Sequence, residues 1–164
     1  MSKLTSYFAT MILPCWLSIS CNEPAVKPEL KILDSGAISG VSEKEQRFLV
    51  ISDLEEFRNL YKKIHSTTLG GKLLPEVDFK NYLVLVGLMG QKPTGGYTIN
   101  FGDIVGKEGE VIEVKVTLTR PAPDAILAQV ITSPYVIALV NKNKYKKVAF
   151  VDEEGKALEE VGIE

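Results

Sequence analysis

The chain has 164 residues, 45% hydrophobic and 24% charged, with 19 basic against 21 acidic side chains. That is the composition of a globular chain with the length of a single domain rather than a disordered one. Near-neutrality excludes the basic footprint with which nucleic-acid binders neutralise phosphates. Two cysteines exclude a disulfide-dense scaffold and a four-thiolate zinc site, and one histidine excludes metal or catalytic schemes that need two.

The chain opens with Lys3 and a mostly apolar run from Leu4 to Ile19. A lone positive charge, a short apolar core and small residues after it are the features of a secretory signal, here residues 1–20. The run holds Pro14 and several hydroxyl residues and falls short of the roughly 20 apolar residues that span a bilayer. An uncleaved anchor is the alternative. Leu17-Ser18-Ile19-Ser20-Cys21 resembles the lipobox of bacterial lipoproteins, in which a small residue precedes the acceptor cysteine. It departs from that pattern at Ser18, where an aliphatic residue is usual. The resemblance implies lipidation at Cys21 and a place in the bacterial cell envelope, on the outer membrane or the periplasmic face. Residues 21–29, with Pro24 and Pro28, read as a tether. Residues 30–164 read as the folded domain.

Lys31 to Gly40 predicts a strand, and the apolar run Arg47 to Ile51 a buried one. Ser52-Asp53-Leu54-Glu55 has capping-box spacing. Leu54, Phe57, Tyr61 and Ile64 then recur at three and four, which predicts a helix from Asp53 to His65 that covers one face of a sheet. Gly70-Gly71 and Pro75 forbid its continuation. Tyr82 to Met89 is continuously apolar, as a strand buried on both faces would be. Tyr97, Ile99 and Phe101 alternate with polar residues, and so do Ile112, Val114, Val116 and Leu118, with a turn at 107–110 between them. Tyr135 to Val140 is a second unbroken apolar run. Asn141 to Lys146 reads as a turn, Lys147 to Val151 as the returning strand, and Ala157 to Val161 as an edge strand. The expected fold is α+β: a mainly antiparallel sheet, sandwich-like or half-barrel-like, with one N-terminal helix packed on it.

Few residues offer chemistry. His65 lacks a nearby nucleophile or orienting partner in sequence, and its position suits a positive charge at a helix C-terminus. Asp78, Asp103, Asp124 and Asp152 are scattered, mostly where turns are expected. The Gly-Gly pairs at 70–71 and 95–96 lack the Lys-Ser/Thr and helix of a phosphate loop. No catalytic group, metal site or cofactor is expected. Lys142, Lys144, Lys146 and Lys147 read as a solvated tip that blocks edge pairing, with contact to anionic headgroups as the alternative. Pro93-Thr94-Gly95-Gly96-Tyr97 is the most distinctive string, read as a tight hairpin turn, and Arg120-Pro121-Ala122-Pro123 is a stiff loop after a strand.

Val77-Asp78-Phe79, an apolar strand, Lys92 to Tyr97, Pro121 and Ser133-Pro134-Tyr135 followed by Val136-Ile137-Ala138-Leu139 resemble, in order and spacing, the C-terminal domain of the PrcB family over 77–151. In that family a bacterial lipoprotein is the accessory subunit of a surface subtilisin-like protease complex. The resemblance implies a non-catalytic role in binding a protein partner, a protease. A looser resemblance joins Pro93-Thr94-Gly95-Gly96-Tyr97 and Arg120-Pro121 to two loops of chagasin-type cysteine-protease inhibitors, although no aromatic follows Pro121 here. Pro93, Thr94, Gly95, Gly96, Tyr97, Arg120 and Pro121 are therefore the candidate partner-binding residues.

Two other readings compete: a small enzyme built on an acid pair formed in space, and a ligand pocket beneath the helix lined by Tyr61, Tyr82 or Tyr97. The segment before the domain generates its own prediction. Intact-mass analysis of the chain recovered from a bacterial envelope should find acyl chains on Cys21. Cys21→Ser should shift the chain to the soluble fraction.

Overall fold

The computed structural model describes residues 28–107 and 110–163. The expected signal segment 1–20, Cys21 and the tether up to residue 27 lie outside the described residues, as do positions 108 and 109 of the expected turn. The elements are β1 (Leu30–Gly36), β2 (Arg47–Ile51), α1 (Leu54–Ile64), β3 (Tyr82–Leu88), β4 (Thr98–Lys107), β5 (Val111–Thr119), β6 (Tyr135–Asn141), β7 (Lys147–Val151) and β8 (Ala157–Gly162). They form two four-stranded sheets, in the orders β1-β6-β3-β2 and β4-β5-β7-β8. The α+β sandwich expected from the strand spacing is the fold observed.

The two unbroken apolar runs are the central strands of the first sheet. Their side chains divide by parity, because successive residues of a strand point to opposite faces. Leu83 and Leu85 of β3, with Val136, Ala138 and Val140 of β6, face the second sheet and meet Ile112, Val114, Val116, Val148 and Phe150 there. Val84, Val86 and Leu88, with Tyr135, Ile137 and Leu139, face the other way and meet Phe57, Tyr61 and Ile64 of α1. The molecule thus has three layers: helix, first sheet, second sheet. In the middle of the sandwich Phe48 of β2 stacks on Phe150 of β7 with ring centroids 4.5 Å apart, and Phe101 leans on Phe150 at 5.6 Å.

Gly87 is the one gap in the apolar run of β3. A Cβ there would lie 3.0 Å from Ile99 Cδ1, 3.0 Å from Phe101 Cζ and 3.1 Å from Val136 Cγ1. The missing side chain is what lets β4 close onto the first sheet.

The helix keeps its expected bounds, Leu54–Ile64 between the caps Asp53 and His65, and differs in which side chain caps it. Its N-cap is Asp53, not Ser52: the Asp53 carboxylate accepts from the backbone N–H groups of Glu55 and Glu56 at 2.8 and 3.1 Å. An ionised carboxylate beside the positive end of the helix is the stronger cap. At the other end the helix stops at Ile64, well before Gly70-Gly71. The Gly40 N–H takes the Ile64 carbonyl at 2.7 Å, and the packing is so close that a Cβ on Gly40 would lie 2.4 Å from the Lys63 carbonyl oxygen. A tertiary contact ends the helix before the glycines act. Leu54, expected on the buried face, is 40% exposed. β1 likewise stops at Gly36, short of the expected Gly40, where the Tyr135 ring occupies the space beside it.

Two expected hairpins are not hairpins. β3 and β4 lie in different sheets, so the 93–97 string is a sheet-to-sheet crossover rather than a hairpin tip. β6 and β7 also lie in different sheets, so Lys147 to Val151 does not return along β6. β5 runs up the second sheet, β6 comes down the first, and β7 goes up again beside β5. That detour makes β5 and β7 parallel, from Val111↔Lys147 to Lys115↔Val151, in a fold otherwise antiparallel.

The close approach at Gly87 is testable. Gly87→Leu should cost about 1–3 kcal/mol through overpacking. The expected result is a lower denaturation midpoint at unchanged slope.

Candidate functional site

The crossovers sort the connecting loops to two ends. The lower end holds the point where Pro28 leads into β1 and the loop 142–146, and Glu29 N–H donates there to Asn141 Oδ1 at 3.0 Å. The upper end holds the segments 89–97 and 120–134, which contain the candidate partner-binding residues.

Those two segments are cross-tied. Past the end of β3, Met89 N–H donates to the Pro134 carbonyl at 2.9 Å, and Lys92 and Thr132 exchange both backbone bonds at 2.8 and 3.0 Å. Thr132 Oγ1 donates to the Thr94 carbonyl at 2.9 Å, and Gly95 N–H to the Ala128 carbonyl at 3.1 Å. Gly96 has φ +86, and a Cβ there would lie 2.9 Å from Pro121 Cβ and 3.2 Å from Leu127 Cδ2. Only glycine satisfies both that backbone and that contact. The structure therefore brings Thr94, Gly95 and Gly96 against Pro121 and its following loop, two strings that stand apart in sequence. Pro93 and Arg120 are exposed. Tyr97 is half-buried against the sandwich core rather than displayed.

The upper end also contains residues that sequence reading passed over. Ile126, Ile131 and Val130 are 104%, 66% and 46% exposed, and nothing charged lies between Ala125 and Pro134. The available signal was an apolar run bounded by Pro123 and Pro134. An apolar run ordinarily marks a buried strand, and this one is on the surface.

A second polar cluster sits at the junction of α1, β1 and β6. The Asp34 side chain is buried, and its Oδ1 accepts from Lys72 Nζ at 2.7 Å. Its Oδ2 accepts from the Tyr135 hydroxyl at 3.3 Å and lies 2.9 Å from His65 Nε2. That last contact is off the line a ring N–H bond needs, so it is ionic when the ring is protonated. His65 does cap the helix C-terminus, but its ring is buried against Asp34, Tyr61 and Tyr135 rather than solvated. Burial first, and then the Asp34 charge and hydrogen bond, push the Tyr135 hydroxyl far above its ordinary value. The hydrogen bond to Asp34 raises the Lys72 ammonium. Nothing local in the sequence joins Asp34 to His65.

The remaining candidates stay apart. Asp78 accepts from Lys80 N–H and Asn81 Nδ2, and Asp152 from Glu154 and Lys156 N–H, so both close their own turns. Asp103 instead stands within β4, where the register shifts. Tyr61 is in the helix-side core, and Tyr97 packs on the sandwich core. Tyr82 lines a cleft of about 610 Å³ at the lower end with Glu29, Lys31, Glu76 and Asp78, so the three tyrosines share no pocket. Lys142 donates to the Phe79 carbonyl, Lys146 pairs with Glu110 and Lys147 with Glu160, which leaves a tied, mixed-charge surface there. Among the described residues no three His, Cys, Asp or Glu side chains gather as metal ligands.

Both cross-tied segments begin and end on β3 to β6, and that stretch decides the relationship. Residues 83–141 match the family model PrcB C-terminal. The resemblance read from the residues is borne out over this narrower span. The PrcB match takes in the whole of 89–97 and 120–134 together with the strands that hold them. No curated protein and no solved structure matches the chain.

The buried cluster makes a prediction with a definite sign. Lys72 and Tyr135 hold their protons in the folded state above the ordinary values of 10.5 and 10.0. Their contribution is full below about pH 10 and is lost as pH rises through the folded values. Asp34→Asn should lower stability by about 1–3 kcal/mol at neutral pH. It should also flatten the loss of stability above pH 10, read from denaturant unfolding at successive pH values.

Proposed function

We propose that the chain is a lipid-anchored, non-catalytic envelope protein that binds and stabilises or positions a protein partner, a surface protease, through its upper end. The observation that carries this reading is the cross-tied pair 89–97 and 120–134. It lies wholly within the PrcB C-terminal match and exposes Ile126, Val130 and Ile131. Loops already fixed by Lys92–Thr132, Gly95–Ala128 and Gly96–Pro121 lose little further freedom on binding, and preorganisation of this kind is realised as affinity. A partner held in its folded form is stabilised by mass action. Orientation supports the same reading. β1 enters at the lower end and rises about 20 Å, at roughly 3.3 Å per residue. A lipid on Cys21 would therefore leave the upper end facing away from the membrane.

The packing of Gly96 on Pro121 favours a second reading, in which the 93–97 and 120–121 loops enter a protease cleft as an inhibitor. Both readings are tested together. Crosslinked pull-down from the native envelope should recover a protease with the wild-type chain. Recovery should fall about tenfold, a loss of roughly 1.4 kcal/mol, with Thr94→Arg or Ile126→Glu, each checked for unchanged unfolding. Unchanged recovery by both variants would rule out the upper end as the docking surface. Inhibition of a panel of cysteine and serine proteases at micromolar chain, without co-purification, would replace the accessory reading with the inhibitor.

A further inference from the structure

The helix layer also reaches the upper end. α1 starts after β2 has run down beside β3, and it closes at Ile64, whose carbonyl is held by Gly40 N–H beyond the top of β1. The chain then makes a latched turn. Thr68 N–H donates to the His65 carbonyl and Gly71 N–H to the Thr68 carbonyl, each at 3.0 Å. Gly70, in the second central position of that last turn, takes the positive φ of +80. Lys72 Nζ reaches the buried Asp34 Oδ1 at 2.7 Å, and Leu74 packs on the helix-side core. Around this anchor Leu69 and Leu73 are 102% and 94% exposed. They continue the apolar surface of segment 120–134. The exposed Ile38 stands between, since Ala37 accepts from Ser133 N–H at 3.0 Å and Gly40 binds the end of α1. Backbone bonds thus link the turn, through Ile38, to the stretch that exposes Ile126, Val130 and Ile131.

We propose that the turn 66–73 is a second docking element, which seats Leu69 and Leu73 in an apolar recess with an acidic rim on the protein partner. This deepens the docking reading above and rests on it. Apolar side chains displayed together on one end mark an interaction surface. Charge selects the occupant. From Phe57 to Pro75 the chain holds Arg58, Lys62, Lys63 and Lys72 and no acidic side chain. Arg58 pairs with Glu55 and Lys72 with Asp34, so the exposed Lys62 and Lys63 set the sign beside the turn. An acidic rim complements them, whereas a second copy of the chain would bring the same lysines and be repelled. A lipid surface suits the turn less, because a lipid on Cys21 would hold the membrane at the opposite end. The Lys72 latch orders the turn before binding, so little freedom is lost when the leucines are covered.

The test places a benzophenone photocrosslinking amino acid at position 69 of the full chain in the native envelope, with position 55 in the first turn of α1 as control. Position 69 should join the same protease that Ile126→Glu fails to recover, and position 55 should not. The protease peptide joined to position 69 should hold aspartate or glutamate among aliphatic residues. With that protease and the full chain in detergent, Leu69→Glu and Leu73→Glu should each weaken binding about tenfold at an unchanged unfolding midpoint. Lys62→Glu combined with Lys63→Glu should weaken it as much and reduce its dependence on salt. Lys72→Met, which keeps both leucines, should speed hydrogen exchange at Gly71 and weaken binding less. Joining of position 69 to lipid, to a second copy or to nothing would overturn the proposal. So would equal joining from position 55, or unchanged binding by both leucine variants or by the lysine pair. Should position 69 fail while Ile126→Glu still abolishes capture, the docking reading stands without this second element. No protease recovered by the wild-type chain would overturn both.

Discussion

The structure depends on the pairing of β3 with β6, from Tyr82↔Asn141 to Leu88↔Tyr135. Each strand is buried on both faces, so each supplies half of two cores at once. A one-residue slip in their register would exchange the helix-facing and sheet-facing sets and spoil both cores together. Gly87 is part of the same constraint. It faces the second sheet, and its missing side chain fixes how closely Ile99 and Phe101 approach. The helix on one side and the second sheet on the other are both fitted to this central pair.

The upper end follows from the way the chain reaches that pair. Between β3 and β6 the chain must leave the first sheet, form β4 and β5, and come back. Both crossings fall at the same end and have to pass one another. Their meeting is recorded in the Lys92–Thr132 pair, in the Thr94 carbonyl held by Thr132, and in Gly96 pressed on Pro121. The distinctive string that reads as a tight turn is thus one half of a two-part device. Its Gly96 serves close approach to the other half as much as reversal of the chain.

What was legible in the sequence was what period and composition encode locally. The alternation at Ile112, Val114 and Val116 gave a one-sided strand, the unbroken runs gave the two-sided ones, and spacing at three and four gave the helix. The chain order that puts β6 between β5 and β7 was not legible, because a polar loop such as Asn141 to Lys146 reads alike whether the next strand stays or changes sheet. Asp53 displaced Ser52 as cap because a carboxylate is the better acceptor at a helix N-terminus. The Asp34, His65, Lys72 and Tyr135 cluster was invisible, since three separate segments converge on one carboxylate. Of the candidate site, Thr94 to Gly96 and Pro121 were singled out. Their union, and the exposed Ile126, Val130 and Ile131, required the fold.

The sheet edges set this surface apart. An unpaired edge invites association, and proteins blunt edges with bulges, charges or covering groups. β1 carries a register shift at Leu33, and β4 one beside Asp103. β8 presents Glu159 and Glu160, and Glu159 reaches across to accept the outward N–H of Phe48 on β2 at 3.1 Å. Each of the four formal edges therefore has its guard. Between Ala125 and Pro134 the upper end carries no charge and exposes Ile126, Val130 and Ile131. That stretch lies on the cross-tied loops at the end away from the point where the chain enters.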